Sequence, residues 1–339
     1  MSATGFPTDD IHTLNAATVF EIAAANNGNG AGTGTFRYPD EILQSGLGRI
    51  TYSYADKYLF SASLRLDRSS LFSKGNRNAW FPSVSAGWRI SQEPWMKNVN
   101  WINQLKLRAS YGVTGNNNVA YTSSMELFSG ANYATGSGNG GLVSGAANIS
   151  SALSNPNLTW EQTDEFNLGL DFGVLNSRIN LSVDAYYSIT RSLLFAQPTQ
   201  SFTGFTTYWN NIGKVRNSGM EFQLDTYNIK KRNFSWNTNF NLSFNRNRLL
   251  EIGGEAQVIT LGERDENYIA RVGDPLIQYF GYQTCGVWNT LDEIAANPHM
   301  SNDVPGGLRI VDTNNDGVLN TDDRIPLGSP YANFTYGMT

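Results

Sequence analysis

Twelve consecutive residues, Asp312-Thr313-Asn314-Asn315-Asp316-Gly317-Val318-Leu319-Asn320-Thr321-Asp322-Asp323, carry oxygen-bearing side chains at positions 1, 3, 5, 9 and 12 and a glycine at position 6. That spacing matches the calcium-loop template, in which carboxylate and carbonyl oxygens surround a hard cation with flexible, high coordination. Asp312, Asn314, Asp316, Asn320 and Asp323 would supply side-chain oxygens, Val318 its backbone carbonyl, and Gly317 the sharp turn. Position 12 is Asp where the template has Glu, and its shorter arm weakens bidentate closure. No helix pair is expected on either side and Pro326 follows closely, so Ca2+ here would staple a loop as a structural ion. The competing reading is an Asp/Asn-rich turn that binds no metal.

Little else in the chain could carry out catalysis. His12 and His299 are the only histidines and lie far apart in sequence, and no G-x-S-x-G nucleophile elbow occurs. Cys285 is the sole cysteine, so a disulfide within the chain and a cysteine metal cluster are both excluded. Acidic pairs such as Glu263 and Asp265 read as solvated loop charges. The chain is therefore not expected to be an enzyme. A net charge of -5, with no basic patch interleaved with aromatics, gives no case for nucleic acid.

The elements that must position the loop are strands. Residues 233 to 245, NFSWNTNFNLSFN, alternate without a fault: Phe234, Trp236, Thr238, Phe240, Leu242 and Phe244 point one way, and Asn and Ser the other. An aromatic face opposite an uncharged amide and hydroxyl face suits a strand between lipid and a water-filled lumen. The same alternation runs through 178 to 190, 166 to 172 and 105 to 113, with further copies at 47 to 55, 58 to 68, 80 to 91 and 211 to 228. Residues 331 to 339 read as the opening of one more. The expected fold is all-β: eight strands and a ninth cut short, forming part of a larger antiparallel transmembrane β-barrel with long extracellular loops.

Length and connections separate a barrel from its rival, a soluble sandwich. Several runs reach ten residues, where soluble strands are most often about five or six, and a tilted strand needs roughly 9 to 11 residues to cross a bilayer. Short connections at Asp56-Lys57, Leu175 to Arg178 and Lys230 to Arg232 alternate with long ones at 115 to 159, 191 to 210 and 248 to 330. Short periplasmic turns and long external loops are the rule for such barrels. The odd link 92 to 102 reads as a short helix started by Pro94, and the Gly, Asn, Ser and Ala-rich stretch 115 to 150 as mobile loop. The expected map is a loop segment at 1–46, barrel strands at 47–247, an external loop region at 248–330 and the next strand at 331–339.

Composition agrees. Aromatic residues make up 12% of the chain, and Tyr52, Tyr54, Trp80, Phe81, Trp88 and Trp101 are candidates for interfacial girdles. The mean hydropathy of -0.35 fits strands with one wet face. There is no run of eighteen apolar residues. The N-terminus, MSATGFPTDDIHTLN, has neither a basic region nor an apolar core, and the last alternating run ends at Thr339. The sequence therefore reads as part of a longer protein.

Four ordered segments carry a family resemblance: NPNLTWEQTDEFNLGLDF (155 to 172), NIGKVRNSGMEFQLDT (211 to 226), VGDPLIQYFGYQTCGVW (272 to 288) and DTNNDGVLNTDDRIPLGSPYANFTYGMT (312 to 339). Together they resemble the C-terminal barrel region of the SusC/RagA family of TonB-dependent outer-membrane transporters, from about residue 47 onward. The resemblance implies a location in the bacterial outer membrane, in contact with its lipid, and a plugged barrel of about 22 strands. It further implies a SusD-like surface lipoprotein as lid, energy from the TonB complex through an N-terminal part absent here, and oligosaccharide or peptide cargo. Within that picture Tyr208 and Trp209, with Asn210 and Asn211, read as loop groups that contact cargo, aromatic faces stacking and amides hydrogen-bonding. An aromatic beside a strand end also fits a girdle. Two other functions stay open: a siderophore- or cobalamin-type receptor without a lid, and a calcium-stabilised surface barrel or adhesin.

Overall fold

The computed structural model describes residues 41–119, 154–200, 207–254, 256–261 and 267–339, with further backbone at 2–4, 34–36, 128–135, 141–148, 152–153, 202 and 205. The chain divides into two units, 1–43 and 44–339. In the first, β1 (Ser2–Thr4) pairs with β2 (Gly34–Phe36). Most of the segment assigned to an external loop at 1–46, and much of the stretch 115–150, lie outside the described residues.

The second unit is built on one long antiparallel sheet. Its strands are β3 (Leu43–Tyr54), β4 (Tyr58–Ser69), β5 (Asn78–Arg89), β6 (Ile102–Asn116), β10 (Glu161–Val174), β11 (Ile179–Pro198), β12 (Thr207–Lys231), β13 (Phe234–Ile252) and β20 (Phe334–Met338). They lie side by side in chain order, so β3 and β20 form the two edges of an open sheet. Between β6 and β10 run a hairpin, β7 (Phe128–Thr135) and β8 (Gly141–Asn148), and the short β9 (Ala152–Leu153), which joins β12 in parallel. Eight full strands and a ninth short one agree with the alternating runs.

Tight turns follow from backbone chemistry. Ala55 and Asp56 both take positive φ, 51° and 54°, and the Lys57 amide donates to the Tyr54 carbonyl at 3.0 Å. Two successive left-handed residues are what a primed hairpin turn requires to match strand twist. Leu175, Asn176 and Ser177 do the same between β10 and β11. In the link after β5, Pro94 opens a single 3-10 turn, Pro94–Met96, where its missing N–H costs nothing.

Two expectations change. The long connection expected at 191 to 210 shrinks to 199–206, because β11 and β12 continue pairing past a register shift between Thr190 and Leu193. Ser192 takes positive φ there, and the bulge puts the alternation out of phase while pairing resumes beyond it. The region expected to be loop at 248–330 is largely folded. β13 runs on to Ile252, and β14 (Gln257–Leu261), β15 (Asn267–Arg271), β16 (Gln278–Tyr282) and β19 (Arg324–Gly328) form a small antiparallel sheet. β17 (Thr284–Val287) pairs with β18 (Leu308–Ile310), and the helix α1 (Leu291–Ala295) is capped by Thr290, whose side chain accepts from the Glu293 amide.

The long sheet has no core of its own. One face exposes Ile50 (72%), Tyr52, Leu64, Trp80, Val84, Leu168, Met220 and Phe244, which is the wrong surface for water and the right one for lipid. Trp80 and Trp88 lie on that face of β5, eight residues apart and roughly 26 Å along the strand, a spacing that suits a pair of interfacial girdles. At the hairpin end, Tyr58 and Trp88 turn their polar tips to Glu93, at 2.8 Å and 3.1 Å. Those donors, Tyr58 first, hold the Glu93 carboxyl below its ordinary range. No helix among the described residues is long and apolar enough to cross a membrane. Among the described residues, packed clusters lie at the other end: Phe72, Phe81, Leu158 and Trp160 belong to one, and Val215, Leu249 and Ile252 form another, against Val258, Ala270 and Leu276.

Candidate functional site

The polar face of the sheet is the surface on which chemistry could be done, and register assembles it. Arg108 on β6 pairs with Gly169 on β10, which pairs with Asp184 on β11. With no side chain at 169, the Arg108 guanidinium lies across the strand and reaches Asp184 by two hydrogen bonds of 3.0 Å. It also grips Asp171 at 2.9 and 3.0 Å, and Ser182 bridges the two carboxylates. A Cβ at 169 would sit 2.6 Å from Arg108 Cζ. The device recurs two strands on: Tyr186, Gly219 and Asn245 are in register, and the Tyr186 hydroxyl donates to Asn245 Oδ1 at 2.9 Å over the glycine.

Lys106 lies 4.0 Å from Asp171, so two cations meet two carboxylates in this network. The result is a patch of wall rich in donors and acceptors whose four charges balance, with Glu221 in register beside Asp184. Ser61, Ser85, Lys106, Arg108, Ser110 and Asn167 line a concavity of about 470 Å3 on it. Elsewhere the wall is stitched by hydroxyl and amide pairs such as Ser63 with Ser83 at 2.7 Å and Asn247 with Asn217 at 2.6 Å. The sequence reading missed the Arg108 cluster. Its signal was present: Arg108, Asp171 and Asp184, with Lys106 and Glu165, are the charged members of polar half-strands whose other residues are mostly amides, hydroxyls and glycine.

Tyr208, Trp209, Asn210 and Asn211 lie inside β12, opposite Gln197, Ala196, Phe195 and Leu194, and not in a loop as the sequence suggested. The continued pairing past Ser192 is the reason. Trp209 packs on the Phe72–Trp160 cluster. The Asn211 amide is spent internally, accepting from the Thr159 amide at 2.8 Å and donating to the carbonyls of Thr159 and Ser192 at 3.0 and 2.8 Å.

The 312–323 loop folds inward on its own carboxylates. Asp312 accepts from the amides of Asp316 and Gly317 at 3.2 and 2.8 Å, Asn314 from Asp316 at 3.0 Å, and Asp316 from Val318 at 2.8 Å. Asn320 accepts from the Asp322 amide, and Asp323 from the amides of Thr313 and Asn320 at 2.8 and 3.0 Å. Gly317 takes φ 82°, as the sharp turn requires. Asp323 is fully buried, and the Asn320 amide, ahead of the opposing cost of burial, holds its carboxyl below the usual range. The donor set is all oxygen, which suits a hard cation. Among the described residues no three His, Cys, Asp or Glu side chains converge at metal-binding distance, so a cation would draw on Asn and carbonyl oxygens as well.

The chain matches the family described as "TonB dependent receptor-like, beta-barrel" over residues 8–333. It is 36% identical over 309 residues to "TonB-dependent receptor P26" of Formosa agariphila, covering 89% of this chain and 30% of that protein. It is 31% identical over 319 residues to "TonB-dependent receptor SusC" of Bacteroides thetaiotaomicron, covering 88% and 29%. Among solved structures, the RagAB peptide transporter aligns with a TM-score of 0.72 at 23% identity, over 88% of this chain and 31% of that one, a likeness of fold. The chain thus spans about 30% of the length of the relatives it matches. With a lipid-facing sheet, a polar inner wall and this match along almost its full length, the chain belongs to the TonB-dependent receptor-like β-barrel family.

Proposed function

We propose that this chain supplies part of the wall and external rim of a SusC-like nutrient importer in the bacterial outer membrane, taking up oligosaccharides or peptides with a SusD-like lipoprotein as lid and TonB as the source of energy. One observation carries the reading: around its concavity the inner wall holds Arg108 against Asp171 and Asp184 and offers serine and asparagine side chains beside them, with Glu165 and Glu221 as further carboxylates on the same face. Such a surface suits uncharged or zwitterionic polymers, which it can hydrogen-bond without trapping a strong counter-ion. Tyr208 and Asn210, on the opposite side of β12 from the buried-facing Trp209 and Asn211, carry the cargo-contact role at the rim. The resemblance to SusC and to the RagAB fold supports the lipoprotein partner. The test is affinity purification of the full-length protein from outer membranes, with mass spectrometry of what accompanies it. Recovery of a SusD-like lipoprotein supports the lidded importer; recovery of the barrel alone supports a siderophore-type receptor.

We also propose that Asp312, Asn314, Asp316, Val318, Asn320 and Asp323 hold a structural Ca2+ that fixes the loop between β18 and β19. The spacing of oxygens and the inward-folded loop support it. Replacing Asp312→Ala together with Asp316→Ala in the full-length protein should abolish any difference in melting temperature between calcium and chelator. If the parent protein shows no such difference, the loop is an ordinary turn.

A further inference from the structure

The sheet changes character where β11 and β12 leave the wall for the rim. Thr190 on β11 faces Val215 on β12, and the next partners are Leu193 with Gly213, then Leu194 with Asn211. Arg191 and Ser192 therefore stand against Lys214 alone, and Ile212 is an extra residue on the other strand. One bulge on each strand cancels the other, so Phe195 meets Asn210 in the register that an unbroken hairpin would keep.

What the pair of bulges alters is which residues share a side. Val215 and Trp209 are six residues apart and would lie on one face of a regular strand. Val215 instead belongs to the cluster with Leu249 and Ile252, while Trp209 packs on the Phe72–Trp160 cluster. Leu193 and Phe195 go with Val215, and Leu194 goes with Trp209. Directly opposed residues share a side, so Asn210, opposite Phe195, and Tyr208, opposite Gln197, take the side of Val215. That is the polar inner face, since Asn217, Gly219 and Glu221 continue the Val215 side of β12. Without the bulges, the alternation would turn Tyr208 and Asn210 outward with Met220 and Phe222.

Bulges take backbone groups out of the ladder, and here two side chains receive them. Glu161 Oε1 accepts from the Leu194 amide at 2.8 Å, and Oε2 from Asn116 Nδ2 at 2.7 Å. The Asn211 side chain donates to the Ser192 carbonyl at 2.8 Å, and its remaining bonds tie it to Thr159. Ser192 takes φ 56°, and a Cβ at Gly213 would sit 2.6 Å from Phe195 Cε2. Glu161 is only 9% exposed and forms no ion pair among the described residues. Burying a carboxylate without a cation is costly, and an apolar residue would serve packing better. The carboxylate is accounted for by the bulge it holds.

We infer that Glu161 is a positioning residue for the rim: by holding the β11 bulge at Ser192 to Leu194, it fixes Tyr208 and Asn210 on the inner face of β12 and Trp209 on the opposite side. The use of Tyr208 and Asn210 toward cargo rests on the importer reading, whereas the placement of the side chains does not.

The test is 19F NMR of the full-length protein labelled with 5-fluorotryptophan, the Trp209 signal being identified by its loss in Trp209→Phe, together with hydrogen exchange at the Leu194 amide. In Glu161→Leu the Trp209 signal should move to a water-exposed position, and Leu194 should exchange roughly ten-fold faster. Glu161→Gln keeps a carbonyl oxygen for Leu194 and should return both readings to those of the parent. Signals of Trp80 on β5 and Trp288 beyond β17 should stay in place, which separates a local turn of the strand from loss of fold. If Glu161→Leu fails to accumulate or moves the Trp80 signal as well, Asn116→Ala, which withdraws the second donor from Glu161, decides instead: a moved Trp209 signal supports the inference and a parent-like one overturns it. Trp209 and Leu194 readings unchanged in Glu161→Leu, even with a lower melting temperature, make Glu161 an ordinary stabilising contact and overturn the inference. Equal disturbance in Glu161→Leu and Glu161→Gln overturns it too. Failure of the importer reading shows separately: if Tyr208→Ala with Asn210→Ala leaves binding of a fluorescent dextran-oligosaccharide mixture and a fluorescent casein digest unchanged, the cargo contact falls while the Glu161 result stands.

Discussion

On β10, Asn167 and Leu168 are neighbours in sequence and meet opposite surroundings. Leu168 is 44% exposed on a face that makes few side-chain bonds, and its stability comes from lipid. Asn167 lines the inner concavity, next to a network in which Arg108 spans three strands by lying over Gly169. The outer face tolerates any apolar shape of moderate size, because lipid adapts to it. The inner face is wet and accepts charge where it is open, but it tolerates little change of fit where its side chains lock onto partners in register. A wall between lipid and water needs that asymmetry: the wet side keeps its shape while the other side floats.

The largest test of the contrast is a charge placed on each face. Leu168→Arg should destabilise the full-length protein by about 2–4 kcal/mol in bilayers, as a cation near the midplane does, whereas Asn167→Arg should change denaturant unfolding little. Equal effects would erase the distinction between the faces. Next is the fit of the inner face. Gly219→Ala puts a Cβ 2.3 Å from the Phe244 carbonyl oxygen, so the backbone must move, at about 2–3 kcal/mol. Gly48→Ala meets nothing within 4 Å and should lie within about 0.5 kcal/mol of the parent.

Arg108→Leu should cost about 2 kcal/mol, between the values for exposed and buried pairs, since it leaves Asp171 and Asp184 facing each other. Coupling with Asp184→Asn in a double-mutant cycle would show whether the cross-strand bridge carries that loss. Tyr186→Phe removes one bond to Asn245 and should cost about 1 kcal/mol in the same unfolding assay.

Smallest in reach is an effect of acid on the 312–323 loop. Asp323 has a depressed folded pKa, so its contribution is present above the unfolded carboxylate value of about 3.9 and is lost as pH falls through the folded value. Hydrogen exchange at the Thr313 and Asn320 amides should accelerate over that acidic window and not at neutral pH. Asp323→Asn should make exchange at both sites independent of pH, apart from the intrinsic rate.

Period-two alternation made the strands legible, because a lipid-facing half-strand and a water-facing half-strand cannot be confused in Phe234 to Asn245. It failed where pairing continued through a bulge: Ser192 shifts the phase, and the strand ends beyond it read as loop. It also failed at the external clusters, since Phe72 comes from one connection and Leu158 and Trp160 from another, with no common period. The calcium-type loop was legible as spacing, and its inward fold follows that spacing. The wall network was not, because Arg108 meets residues 63 and 76 positions away, and only the register brings them together.

Strand β12 runs for 25 residues, Thr207–Lys231, roughly 80 Å along the chain. Tilted by about 40°, it rises roughly 60 Å, more than twice the height of an apolar band of about 25 Å. One end of it closes in a tight turn at Arg232, so nearly all the surplus emerges at the other. The sheet is therefore a chimney as well as a wall. Anything approaching from that side meets standing protein roughly 30 Å before it reaches the plane of the lipid.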